Sequence, residues 1–284
     1  MTGVTQEIAN KREAAKLHPK IDDPSHGEKI DVLDHGFVRL VDHMGSDLSI
    51  ARAARVSYDA AWRAGEDEGS DTNLINYLWR NQHSTPFEAV EFQLEVKAPI
   101  FVFRQWHRHR TWTYNELSAR YRPLPKEFYV PDPQLIGTQS TSSKQARDLG
   151  GYTPDREFEV SLVRSQNNTA FDLYHRLLES GWPKELARSH LPLATYSHMF
   201  AKIDLLNLFK FLSLRVHKHA QYEIQVYALA ILELIKPIAS VAVAAWEKSR
   251  EEQRTVESLR EENIELHQML KNLAQKKGGS NAHR

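Results

Sequence analysis

The chain of 284 residues contains no cysteine. That excludes disulfides, thiolate-ligated zinc, iron–sulfur clusters and any thiolate nucleophile. No apolar run approaches the roughly 18 residues that a membrane-spanning helix needs. Met1-Thr2-Gly3 opens no signal-peptide core, so a cytoplasmic protein with no membrane partner is expected. Net charge is missing too, because 37 basic and 37 acidic residues cancel. A general polyanion binder would carry an overall basic bias, so no nucleic-acid partner is expected. The Gly-x-Gly-x-x-Gly fingerprint is absent, and a bound dinucleotide would not lie in a Rossmann crevice. The 14 histidines invite a metal. His107 and His109 have one residue between them, but no carboxylate–histidine set at ligand spacing completes a sphere, and no metal is assigned.

What is present is local. Arg108, His109, Arg110, Glu116, Ser118 and Arg120 fall within thirteen residues. Arginine offers a rigid fork of donors that suits phosphates and flat polar rings, and it keeps its charge. Runs of this kind are most often solvated surface or a grip on a nucleic-acid backbone. Here the run follows the apolar stretch Ala98–Phe103 and contains Trp106 and Trp112 in or beside it, which favours a lined cleft. A nucleotide is the natural occupant.

Residues 1–28 read as a polar extension. Lys29–Leu33 and Phe37–His43 suggest strands around the turn Asp34-His35-Gly36, and Val90–Val96 alternates as a half-buried antiparallel strand does. Helices are expected over Ser49–Ala61, over Asn73–Arg80 with Asp71 as N-cap, and over Phe158–Ser180 with Gly181 at the C-terminal end. Pro183 fits the first turn of a short helix carrying Arg188. Further helices are expected over Asp204–Val216 and His219–Ile235, the last stopping before Pro237. Pro123–Pro133 reads as loop and 134–155 as a surface loop or lid. The fold class is therefore α+β, an antiparallel sheet flanked by helices with a helical C-terminal half. In the tail 251–284, Val256, Leu259, Asn263, Leu266, Leu270 and Leu273 form a short heptad seam, read equally as a coiled coil or as an amphipathic helix on its own domain.

Arg108-His109-Arg110, seven residues, then Ser118 resembles the motif of the flavin-dependent thymidylate synthases. The likeness extends to His83-Ser84-Thr85-Pro86-Phe87-Glu88, to Lys97-Ala98-Pro99-Ile100 with Arg104-Gln105-Trp106, and to Leu214-Arg215 followed by His219-Ala220-Gln221-Tyr222-Glu223-Ile224. These blocks stand in family order across residues 29 to 247, within a catalytic domain taken as 29–250.

The resemblance implies reductive methylation of dUMP to dTMP, with 5,10-methylenetetrahydrofolate as carbon donor and FAD reduced by NADPH (or NADH) as hydride source. It implies a homotetramer whose subunits share sites. By position, Arg215 matches the arginine that lies against the pyrimidine. Gln105, Arg108, Glu116, Ser118, Arg120 and Arg188 match positions that hold dUMP. His83, Thr85, Arg108, His109, Arg110 and Glu116 match positions around FAD. At Asp204 and Leu206 many members carry Asn and Arg, or a His, that help hold the flavin. Leu206 cannot donate a hydrogen bond, which leaves Asp204, Asn207 and Lys210 for that task. The competing reading is a nucleotide- or nucleic-acid-binding protein that keeps the fold without turnover.

Overall fold

The computed structural model describes residues 29–141, 147–148, 155–217, 219–253 and 255. The N-terminal extension and the heptad positions from Val256 onwards lie outside the described residues. The described residues divide into two compact units, one built from 29–45 with Phe87–Pro237, the other from Ser46–Pro86 with the described chain from Ile238 onwards.

The first unit is organised on a five-stranded antiparallel sheet. Its strands are β1 (Lys29–Val32), β2 (Gly36–Met44), β3 (Glu91–Pro99), β4 (Thr113–Glu116) and β7 (Tyr196–Asp204), in the spatial order β1-β2-β3-β7-β4. A two-stranded hairpin, β5 (Thr138–Gln139) with β6 (Arg147–Asp148), stands apart from it. Alternation fixes the faces. Phe92, Leu94, Val96 and Ala98 of β3 are fully buried, as are Met199, Ala201 and Ile203 of β7 within 2%. Each such large side chain contributes roughly 1.5–3 kcal/mol on burial. Leu94 pairs with Leu40 on one side and Ala201 on the other, so slipping one residue would turn the whole apolar set outward.

In the second unit, helix α1 (Asp47–Arg55) and helix α2 (Glu68–Arg80) pack with a helix over residues 240–253. Asp67 caps α2 by accepting from the Ser70 amide at 3.0 Å. Asp71, expected at that position, instead sits a turn inside. Its buried carboxylate pairs with Arg55 and accepts from the Gly65 amide at 2.7 Å. Asp47 accepts from the amides of Val241 and Ala242 at 2.9 and 3.0 Å, satisfying orphan donors at the start of the 240–253 helix.

The remaining helices of the first unit are α3 (Ile100–Trp106), α4 (Arg156–Glu179), α5 (Lys184–Ala187), α6 (Leu205–Arg215) and α7 (Tyr222–Ile235). Gly181 follows α4 at φ +83°, a left-handed position that glycine takes without strain. Pro183 is the N-cap of α5 rather than a residue of its first turn, and Arg188 follows the helix directly. The stretch His219–Gln221, expected helical, precedes α7 instead. Helix α7 packs on β1 and β2, and its Tyr227 hydroxyl donates to the Lys97 carbonyl at 2.7 Å. A Cβ at Gly36 would overlap that hydroxyl and the Lys97 carbonyl, so the β1–β2 turn closes only over glycine.

The sequence reading missed β4 and the inner strand β7, as well as the short pair β5 and β6 inside the segment expected as a loop. In β7, Ser197 and His198 interrupt the apolar pattern, and both are used by the sheet's polar pairs. His198 Nε2 lies 2.8 Å from Glu95 Oε1, and Ser197 donates to Glu116 at 2.6 Å.

Candidate active site

The arginine–histidine run is a turn held on an aromatic base. Pro99 ends β3 and caps α3, whose first amides, Ile100 and Phe101, donate to the Thr195 and Leu193 carbonyls. At the other end, α3 buries Trp106, and the chain turns through His107–Thr111. Trp106, Trp112 and Phe211 pack together with ring centres 5.0 to 5.5 Å apart. His109 sets its ring against Phe211 at 4.8 Å in a T-shaped contact. Tyr114 ties the turn by donating to the carbonyls of His109 and Trp106 at 3.0 and 3.3 Å. Burial pushes the pKa of its phenol up, so the hydroxyl stays a donor.

Arg215, the last residue of α6, reaches this turn. Its Nε donates to His109 Nε2 at 2.9 Å and its Nη2 to the Gln105 carbonyl at 3.4 Å. Burial, and then the neighbouring guanidinium, lower the His109 pKa to about 4. At neutral pH the ring is therefore uncharged and accepts the hydrogen bond from Arg215. Burial also lowers the Arg215 pKa, a cost that its hydrogen bonds offset.

Behind Gln105 runs a chain of amides and charge. The Gln105 side-chain amide donates to Gln221, and Gln221 Nε2 donates to Glu223 Oε2 at 2.8 Å. Glu223 is 3% exposed. Its other oxygen accepts from Arg147 Nη2 at 2.7 Å and from the Tyr129 hydroxyl at 3.2 Å. Tyr129 and Arg147 lie 94 and 76 residues from Glu223, and no motif joins them to the site. Their only signal was the presence of a carboxylate inside an apolar helix, which needs donors from somewhere.

The other expected residues are more open. Arg108 and Arg110 are exposed, and no described residue forms an ion pair with either. Glu116 accepts from Ser197. Ser118 shapes a turn, its hydroxyl accepting from the Arg120 amide at 3.3 Å and its carbonyl from Tyr121 at 3.0 Å. Arg120 lies 3.9 Å from Glu185 with both side chains more than half exposed. This contact brings the motif's end to α5, beyond which Arg188 is exposed. Asp204 is spent as the N-cap of α6, accepting from the Asn207 amide at 2.9 Å and its side chain at 2.6 Å. Lys210 donates to Asn207 at 3.2 Å, and Leu206 is buried in the core. His83 and Thr85 belong to the second unit. There Gln82, at φ +59°, turns the chain out of α2, and His83 sits edge-on to Tyr77.

This donor set suits an anionic, flat, carbonyl-bearing group such as a flavin nucleotide. Arg108 and Arg110 have guanidinium forks not committed to the fold, and His109 and Arg215 stand beside them. The cap at Asp204 and the buried Leu206 offer less.

Comparison with known proteins identifies the family. Residues 39–241 match the family described as thymidylate synthase complementing protein. The flavin-dependent thymidylate synthase of Wolbachia pipientis wMel is 46% identical over 221 residues, which cover 77% of this chain and 76% of that one. The enzyme of the same name from Treponema pallidum (strain Nichols) is 44% identical over 220 residues, 77% of this chain and 71% of that one. Among solved structures, the UMP/dUMP methylase PolB from Streptomyces cacaoi bound with 5-Br dUMP superposes with a TM-score of 0.71. It has 38% identity and covers 77% of this chain and 97% of that one.

Proposed function

The chain belongs to the flavin-dependent thymidylate synthases, and from that premise we propose how its residues divide the methylation of dUMP to dTMP. The observation that carries the reading is the bond from Arg215 to His109, which joins two sequence blocks 106 residues apart at one place. Arg215 lies against the uracil and donates to a ring carbonyl, where negative charge develops as the pyrimidine is activated. Neutral His109 fixes the guanidinium's direction without competing for that charge. Gln105, Glu116 and Ser118 hold the nucleoside by neutral and charge-assisted hydrogen bonds, and Arg108, Arg120 and Arg188 meet the phosphate.

Arg108, His109, Arg110 and Glu116, with His83, Thr85, Asp204 and Lys210, are the residues we assign to FAD. When bound and reduced, FAD supplies the hydride that completes the methyl group. NADPH is the proposed reductant and 5,10-methylenetetrahydrofolate the proposed carbon donor. We place the reaction in the cytoplasm, in a homotetramer. Exposed cations support that assembly: Arg108, Arg110 and Arg188 are open to solvent, where a second copy can share a ligand with them.

A binding protein without turnover would share this fold, and absorbance separates the two. The purified chain, given FAD and then desalted, is expected to retain flavin absorbance near one equivalent per chain. A colourless product would overturn the enzymatic reading.

A further inference from the structure

Glu223 is buried at 3% exposure and is engaged by Arg147, Tyr129 and Gln221. A carboxylate accepts hydrogen bonds and donates none. The end of Gln221 that faces it must therefore be the NH2 group, as observed at 2.8 Å. That leaves the Gln221 carbonyl facing Gln105, which answers with its own NH2. The direction of each amide is thus dictated by the one behind it, and Gln105 is left with its side-chain carbonyl oxygen turned outward. That oxygen has no hydrogen-bond partner among the described residues and is not sealed in the interior. It lies on the residue whose backbone carbonyl Arg215 also touches.

We propose that Glu223 is a specificity-determining positioning residue, acting through Gln221 to present Gln105 to the nucleotide base as a hydrogen-bond acceptor. An acceptor there selects a base edge that carries an N–H. Uracil has one at N3, between its two carbonyls, whereas cytosine has a bare nitrogen at the same place and would meet the Gln105 oxygen with lone pair against lone pair. The inference rests on the reading of Gln105 as a residue of the nucleotide site and adds the reason that site takes a uracil.

The two oxygens of Glu223 are not equivalent, and this makes the relay reversible by design. Arg147 and Tyr129 both donate to Oε1. In Glu223→Gln the new carbonyl must stay with those donors, and the new NH2 must face Gln221. Gln221 and Gln105 then both invert, so that Gln105 turns an N–H outward. Adding Gln221→Glu restores the original direction, because a carboxylate at 221 accepts from both neighbours and again draws the Gln105 NH2 inward. The pair of substitutions also returns the charge to its original total.

The test is the ratio of dissociation constants for dUMP and dCMP, measured by calorimetry on the full chain loaded with oxidised FAD. The wild type is expected to favour dUMP. E223Q should lower that preference by about ten-fold or more, the scale of a buried hydrogen bond replaced by an unpaired group. Q221E/E223Q should return the preference to the wild-type value, a rescue that loss of packing or of fold stability would not give. Q105A should give an intermediate ratio that is insensitive to a further E223Q. An unchanged ratio in E223Q, or no recovery in the double variant, overturns the relay. If E223Q does not fold, the double variant decides alone: a wild-type ratio supports the relay and a ratio equal to that of Q105A overturns it. If the wild-type chain binds neither nucleotide, the site reading itself falls. If it binds dUMP but Q105A leaves the ratio untouched, the site reading stands and the relay falls.

Discussion

The motif turn from Arg108 to Arg120 and the C-terminal block from Arg215 to Glu223 hold their charges in opposite ways. On the turn, Arg108 and Arg110 are exposed and uncommitted, and the ion pair of Arg120 with Glu185 is long. In the block, Arg215 is half-buried and bonded to His109 and Gln105, and Glu223 is enclosed by three donors. An exposed cation costs little to keep and contributes little to the fold, so it is free to grip an arriving anion. A partly desolvated one is costly to place, but its direction is fixed before the ligand arrives, which is what stabilising a developing charge requires. We therefore propose that the turn holds the ligands and the block activates the base.

Substitutions can break that division, and the largest effect is expected at Arg215. Arg215→Ala should lower the turnover rate by about 10²–10³-fold, the usual scale for removing one preorganised donor to developing charge. Flavin absorbance should stay at the wild-type level, and initial rates that match the wild type would remove Arg215 from its role. Arg108→Ala acts on the other side of the comparison. It should weaken dUMP or FAD by about ten-fold or more, the scale of charged hydrogen bonds, while the melting temperature stays where it was. A large drop in melting temperature would mean that the exposed arginine holds the fold after all.

His109 sharpens the boundary between the two regions through pH. Its pKa is lowered from 6.5 to about 4 in the folded chain, by burial and by Arg215. Between those values the unfolded chain binds a proton that the native one does not, so stability should fall as pH drops from 6.5 towards 4. Urea denaturation at pH 7.5 and 4.5 should show this loss, and His109→Gln should make it smaller. An equal loss in the variant would place the titration elsewhere. The smallest effect is expected at Glu185→Ala, within about 1 kcal/mol in the same denaturation experiment, because the Arg120 pair is exposed and long.

Much of this arrangement was legible in the sequence. Clean alternation in Val90–Val96 and the apolar faces of the long helices marked their elements, because burial on one face imposes the period that is read. Strand β7 escaped because its Ser197 and His198 serve Glu116 and Glu95, carboxylates 81 and 103 residues away. Asp71 resembles a cap because an acid near a helix start is usually one, but its partner Arg55 lies 16 residues back. The same limit hid the Glu223 chain. Motif spacing reports residues that sit side by side along one segment, whereas Gln105, Tyr129, Arg147 and Glu223 meet only after the sheet and helices have packed. The departure at Leu206 now has a physical reading, since that side chain fills the core and Asp204 caps α6.

The most direct test of the account is product formation by the wild-type chain given dUMP, 5,10-methylenetetrahydrofolate, FAD and NADPH, with each component omitted in turn. Thymidylate is expected only from the complete mixture. Bleaching of the flavin by NADPH with no thymidylate formed would contradict it.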